Sequence, residues 1–434
     1  MSQLRATREA EDAMSAGSRS ATRLEERVLA LAAFLFLPVL VIAPRAIAIL
    51  APLAGIAAAS RLRGSGWMPP AGFRRAAALL AALLLWGALS AIWAIEPARS
   101  LLLDGRLVIL FAAGLSLAGA ASLVEPGPML NALCAGILVG AGLALLERAT
   151  GGALSGLLFT RAFVATRMNQ AVLTAAILLL PIAALPAPRP RPLWPAVIAA
   201  LAAIYLLDDS TAKMGLVLGL AIAGALYALP RSGPRVAAAI AALIVATAPL
   251  TFPELASSGA IMNAATALKS SASHRLLIWS FTGERIAEHP ILGWGLDSAR
   301  AIPGGAALIA PGEAWLPLHP HNAALQLWLE LGAVGALLGA ALIAGLFLAV
   351  QRAGWPRRFA AAAGGSLGLA VIAACNAYGI WQESWEGTLW FALFLVLVAG
   401  KAAHRSQSAN RAIPGDDRAP GLAAVSGATP PTPR

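Results

Sequence analysis

Apolar stretches of about 15 to 30 residues recur along the chain, at 28–44, 46–60, 76–95, 104–122, 129–147, 168–186, 193–207, 212–229, 236–250, 322–350, 359–377 and 387–400. At 1.5 Å of rise per helical residue, such stretches match a hydrocarbon core about 30 Å thick. Strands of a membrane barrel would instead alternate in character over about 10 residues. The pattern predicts an all-α, polytopic membrane protein with about twelve transmembrane helices. Joints such as APRPRP (187–192) and RSGPR (231–235) carry prolines that stop one helix before the next begins.

The pattern breaks in three places. Residues 1–26 are polar, carry both charge signs and lack the apolar core of a signal peptide, so they are expected to be a disordered extension. Residues 404–434, rich in Pro, Gly, Ser and Ala, are expected to be a disordered tail. Between them, 27–403 is expected to be one membrane domain. The third break, 251–320, separates the ninth and tenth spans and concentrates charges, tryptophans and three of the five histidines, with a fourth, His321, directly after it. Within it, 274–290 is expected to be a helix lying near the membrane surface, followed by a sharp turn on Gly293 and Gly295.

Composition agrees with a membrane solvent: 59% of the 434 residues are apolar, 12% are charged and the mean hydropathy is +0.75. The net charge of +11 invites a nucleic-acid reading, but no basic face or recognition motif accompanies it. The basic residues follow topology instead. About two-thirds of the 32 fall on the side that holds both termini, among them Arg61, Arg63, Arg74, Arg75, Arg189, Arg191, Arg357 and Arg358. By the positive-inside rule that side is cytoplasmic, which puts 251–320 on the opposite face. Cys134 and Cys375 lie in apolar runs and read as small buried side chains, not as a disulfide or metal set.

Candidate chemistry gathers on the outer face. His319-Pro320-His321-Asn322 directly precedes a long apolar run. Pro320 at the mouth of that helix would put His321 in the first turn, where free backbone N–H groups disfavour a protonated ring. A neutral histidine can accept a proton; the plainer alternative is that His321 or Asn322 only caps the helix. A zinc site needs a third ligand that only distant residues could supply, so no metal is expected. Arg275, Arg161 and Arg167 stand where the positive-inside rule disfavours them. Snorkelling would explain them, and so would clamping of an anionic lipid headgroup by planar guanidinium groups. Lys213 could add charge, partly neutralised by Asp208 and Asp209. Trp279, Trp294 and Trp315 read as an interfacial belt. Glu383 and Glu386 read as solvated loop residues that could also bond an acceptor hydroxyl.

The segments Arg275-LLI-Trp279, EHPILGWGLDS (288–298) and HPHNAALQLWLELGAVG (319–335), in this order over about 60 residues, resemble the O-antigen ligase and polymerase family of bacterial inner-membrane glycosyltransferases. The twelve-span layout with its long outer loop is similar to that family over most of the chain. The resemblance implies a periplasmic active site that moves a glycan from an undecaprenyl diphosphate carrier to a sugar hydroxyl of the lipid A core, without metal, cofactor or nucleotide sugar. It makes His321, Arg275 and Arg167 the catalytic residues, although the sequence around Arg167 reads TRMNQA where the family has an NRG-like segment. Arg161, Lys213, His319 and Asn322 would bind substrate. A single displacement implies inversion at the anomeric carbon. Other membrane glycosyltransferases carry an Asp-x-Asp metal motif in the first outer loop; here that place holds the short turn around Arg45, and the next outer loop offers Glu96 alone.

Three competing readings remain at this level. An O-antigen or exopolysaccharide polymerase would use the same donor with a second lipid-linked glycan as acceptor. A twelve-helix secondary transporter would need paired halves, broken helices and midplane charges, none of which is evident. A membrane scaffold would tolerate loss of His321.

Overall fold

The computed structural model describes residues 23–63, 65–159 and 164–412. In chain order these form α1 (23–42), α2 (Ile47–Leu62), α3 (Ala71–Ser90), α4 (Pro97–Ala120), α5 (Pro126–Ala149), the short α6 (Ala153–Phe159), α7 (Asn169–Ala183) and α8 (Leu193–Leu206). Then follow α9 (Ser210–Ala228), α10 (Gly233–Ser257), α11 (Gly259–Leu268), α12 (Ser270–Glu288), α13 (Ala323–Arg352), α14 (Arg357–Ala374) and α15 (Glu383–Ala412). A two-stranded ribbon, β1 (Leu308–Ala310) with β2 (Glu313–Ala314), is the sole sheet among the described residues.

Every expected span falls on a helix, and nine helices among the described residues are long and apolar enough to cross a bilayer. Of the remaining three, α8 has only 14 residues and α14 opens with two arginines. The protein is a polytopic all-α membrane protein. Its outer surface carries the apolar side chains a lipid-facing bundle needs, such as Ile49, Leu53, Ile56 and Ile198, each more than half exposed.

The centre of the bundle is α7. It is apolar on every side, and each residue from Gln170 to Ile182 is buried. Helices α5, α8, α9, α14 and α15 pack against it, and α1 and α2 belong to the same core. A smaller second core joins α10, α12 and α13. Prolines inside two helices show how such a bundle tolerates them. Pro181 has no N–H for the Ile177 carbonyl, which accepts instead from Ser366 Oγ at 2.5 Å. Pro249 likewise frees the Val245 carbonyl, which accepts from Trp328 Nε1 at 2.7 Å.

That second compensation explains one correction. The outer segment was expected to begin at 251, but α10 continues through Pro249 and Pro253 to Ser257. At the other terminus α15 continues past the expected boundary at 403 to Ala412, with Arg405 paired to Glu125 at 2.9 Å. Residues 1–22 and 413–434 of the two expected extensions, and Arg161, lie outside the described residues.

Contacts between helix ends divide into two sets. One set joins Lys401 to Val124, Ser406 to Ala187, Arg357 to Tyr227 and Gln351 to Arg231. The other joins Ser90 to Leu296, Gln170 to Ser384, Trp279 to Pro320 and His321 to Ala377. The first set is where alternating spans put the arginine-rich joints. All the candidate site residues that the structure describes belong to the second.

Candidate active site

The HPHN turn is held by its neighbours before any substrate is present. Asn322 is the N-cap of α13: its Oδ1 accepts from the N–H groups of Ala324 and Leu325 at 3.0 and 3.2 Å. His321 therefore lies outside the helix, not in its first turn as expected, and adopts the left-handed conformation with φ 52°. This turn points its N–H at His319 Nδ1, 3.1 Å away, and sets the two imidazoles 4.3 Å apart between centroids. Asn322 Nδ2 is a buried donor with no partner among the described residues.

These bonds fix the tautomers of the neutral rings. His321 Nδ1 lies 3.1 Å from the Ala377 carbonyl, which can only accept, so Nδ1 carries the hydrogen and Nε2 holds a lone pair. His319 Nδ1 accepts from a backbone N–H, so its hydrogen is on Nε2. Burial pushes the His321 pKa down to about 4, with the Arg275 charge adding to the effect. Burial, His321, Arg300 and Arg275 together push His319 down to about 3. Neutral imidazoles were expected, but burial and nearby cations cause this more than the helix dipole does.

Arg275 rises from α12, which is not a lone helix on a membrane surface. It buries Leu276, Ile278, Trp279, Phe281 and Ile286 against its surroundings and packs on α10 and α13. Burial lowers the Arg275 pKa, opposed by the charge of Asp209. No carboxylate among the described residues lies within ion-pair distance of this guanidinium. Asp209 is buried and its carboxylate caps α9 through Ala212 N–H at 3.0 Å, so it attracts Arg275 and Lys213 without saturating either. Burial nonetheless raises the Asp209 pKa. Its neighbour Asp208 is exposed and reaches Arg148 instead.

Arg167 is exposed at the start of α7. One turn on, Gln170 donates to Ser384 O and Thr388 Oγ1, both at 2.9 Å, which ties this end of α7 to the start of α15. Arg167 thus shares the end of the bundle that holds His321. Glu383 and Glu386 are not loop residues but occupy the first turn of α15, where Glu383 pairs with Arg106 at 3.0 Å. Glu96 precedes α4 and pairs with Arg99 at 3.0 Å.

The three tryptophans of the 251–320 segment are engaged in packing contacts. Trp279 is buried and donates to Pro320 O at 3.0 Å, bracing the HPHN turn from below. Trp294 donates to Arg285 O at 2.8 Å, and Trp315 stacks on Phe281. The glycine turn docks where α13 kinks. Gly332 has φ 63° and ψ −162°, and a Cβ there would meet the Ile291 carbonyl at 2.1 Å. Gly293, with φ 71°, lies against the Glu330 carbonyl in the same way. Trp294 and Gly295 then donate to the Leu329 and Glu330 carbonyls that the kink releases. Sequence reading missed Gln326 and Glu330, although Asn322, Gln326 and Glu330 are spaced four apart and share one helix face. It also missed Asp209 as a cap and Ala377 as the anchor of His321.

Among the described residues no three His, Cys, Asp or Glu side chains gather as a metal set. The site therefore consists of two neutral imidazoles, the cations Arg275 and Arg167 and backbone anchors, at one end of a polytopic membrane bundle. Residues 195–340 match the O-antigen ligase family. The match contains Asp209, Lys213, Arg275, His319, His321 and Glu330. It excludes Arg167 and Ala377. Three relatives carry the provisional name polysaccharide ligase. One from Rickettsia conorii is 38% identical over 149 residues, covering 32% of this chain and 36% of its own. One from Rickettsia felis is 30% identical over 59% of this chain and 64% of its own. One from Rickettsia bellii is 28% identical over 47% of this chain and 52% of its own. The matched parts thus span about a third to two-thirds of these relatives.

Proposed function

We propose that the protein is an O-antigen ligase of a bacterial inner membrane, with both termini cytoplasmic and the site at the periplasmic end of the bundle. It transfers a glycan from undecaprenyl diphosphate to a sugar hydroxyl of the lipid A core. The observation that carries this reading is the His321 tautomer, a half-buried neutral imidazole with a lone pair on Nε2, near the half-buried Arg275 cation.

In the proposed step the acceptor hydroxyl gives its proton to His321 Nε2 as its oxygen bonds to the anomeric carbon. The bond from that carbon to the diphosphate breaks on the opposite face, and undecaprenyl diphosphate leaves with inversion. Negative charge grows on the departing diphosphate, where Arg275 and Arg167 stabilise it. Lys213 adds positive charge beside them. His319 Nε2–H and Asn322 Nδ2 are donors for the substrate, and Arg161 precedes the same end of α7. A base so placed is worth about 10² to 10⁴ in rate. The arginines supply the charge stabilisation, so the mechanism calls for no metal.

The test is transfer in vitro from an undecaprenyl diphosphate glycan to purified lipid A-core, with a chelator present. Glycan-bearing core at the rate seen without chelator is the expected result. Consumption of the donor only when a second lipid-linked glycan is supplied would make the protein a polymerase. No donor consumption under either condition would overturn the enzyme reading.

A further inference from the structure

Beyond the imidazoles, a well-defined polar cluster among the described residues is buried one turn and more further along α13. Glu330 is fully buried in α13, and three donors converge on it. Gln326 Nε2 reaches its Oε1 at 3.0 Å, and Asp297 N–H and Trp381 Nε1 reach its Oε2 at 2.7 and 2.8 Å. Gln326 in turn accepts from Ile380 N–H at 3.0 Å through its Oε1. The chain of bonds has one direction. Ile380 offers only a donor, which fixes the Gln326 amide with its oxygen towards Ile380 and its NH₂ towards Glu330. Only a group that accepts on both oxygens fits at 330.

The segment held this way also shapes the site. Residues 377–381 carry the Ala377 carbonyl that anchors His321 Nδ1. At Gly379 a Cβ would stand 3.0 Å from the His319 ring, so the same segment lies against both imidazoles. Asp297, the third element clamped, bonds Arg99 at 2.8 Å and Arg300 at 3.2 Å. We propose that Glu330 and Gln326 act as a directional pair of positioning residues that hold the 377–381 segment so that its carbonyl keeps His321 in the Nδ1–H tautomer. The effect on transfer rests on the ligase reading above; the effect on the tautomer does not.

The direction of the bonds makes the pair testable by exchange. Glu330→Gln sets an NH₂ against the Gln326 NH₂, and turning either amide only moves the clash to Ile380, Asp297 or Trp381. Gln326→Glu alone sets two carboxylates face to face. The double variant Gln326→Glu/Glu330→Gln satisfies all donors again: the new carboxylate accepts from Ile380 N–H and from the new amide, whose oxygen accepts from Asp297 and Trp381.

The full-length protein in detergent, labelled at the histidine ring nitrogens and assigned by the loss of signal in His321→Gln, gives the tautomer directly. The groups facing His321 are His319, Arg275 and His274, and the exchange alters none of them. We expect Glu330→Gln to turn a single Nδ1–H signal into a mixture and to lower kcat by about 10- to 100-fold with little change in KM. The double variant is expected to restore the single signal and to bring kcat within about 3-fold of wild type. A wild-type signal in Glu330→Gln would overturn the proposal, as would a double variant no better than the singles. If Glu330→Gln does not accumulate, recovery of folded protein and tautomer in the double variant supports the pair, and failure to recover refutes it. Absence of transfer in wild-type protein would sink the ligase reading while leaving the tautomer result to stand or fall separately.

Discussion

A histidine held neutral by burial works over a wider acid range than one in water. His321 has its pKa pushed down to about 4, against an ordinary value near 6.5. Its Nε2 therefore stays free as pH falls from 7 to 5, and transfer is expected to decline only as pH approaches 4. A rate profile with its acid limb at 6.5 would contradict this. The same shift gives stability a sign. Between pH 6.5 and 4 the unfolded chain binds a proton at this ring that the folded chain does not, so stability falls on acidification through that window. At Arg275 the demand is geometric as well as electrostatic. A lysine keeps the charge but loses the planar fork that engages two phosphate oxygens, so Arg275→Lys should retain little of the activity lost in Arg275→Ala. Turnover of both variants at equal membrane abundance measures this.

At the scale of elements, α13 illustrates how one helix can serve both the site and the packing. Asn322 starts it, Gln326 and Glu330 bond across it, and Gly332 breaks it just where the glycine turn needs bare carbonyls. A Cβ at 332 meets the Ile291 carbonyl and is strained by φ alone. Gly332→Ala should therefore cost about 1–3 kcal/mol or more and lower the melting temperature or the yield of folded protein. Gly345 lies in the same helix, and nothing stands within 4 Å of a Cβ there. Gly345→Ala should be neutral or stabilising by up to about 1 kcal/mol. Thermal melting of the two detergent-solubilised variants separates a requirement at one position from a general intolerance of alanine.

For the whole molecule, nine helices among the described residues are long and apolar enough to cross a bilayer, and the contacts between helix ends named above fall into two sets. A cysteine introduced for Leu308, two-thirds exposed on β1, should react with a membrane-impermeant maleimide in cells whose outer membrane alone is permeable. One introduced for Arg231, in the joint between α9 and α10, should react only after the inner membrane is opened. The reverse pattern would invert the proposed orientation.

The apolar lengths of the chain settled the helices, because a segment crossing lipid must be long, apolar and bonded within itself. For the same reason His321, Arg275 and the glycine turn were visible as polar interruptions before the structure was considered. What lay beyond the sequence was which interruptions meet. Trp279 reads as an interfacial ring until its N–H is seen under Pro320. Glu330 looks like one acid in an apolar run until donors from 297, 326 and 381 converge on it. The helix α10 continues past Pro249 with a tryptophan 83 residues away standing in for that proline's missing donor. Such contacts depend on partners far along the chain, and local pattern carries no record of them; only the packed bundle decides that an imidazole keeps its hydrogen on Nδ1 and its lone pair on Nε2.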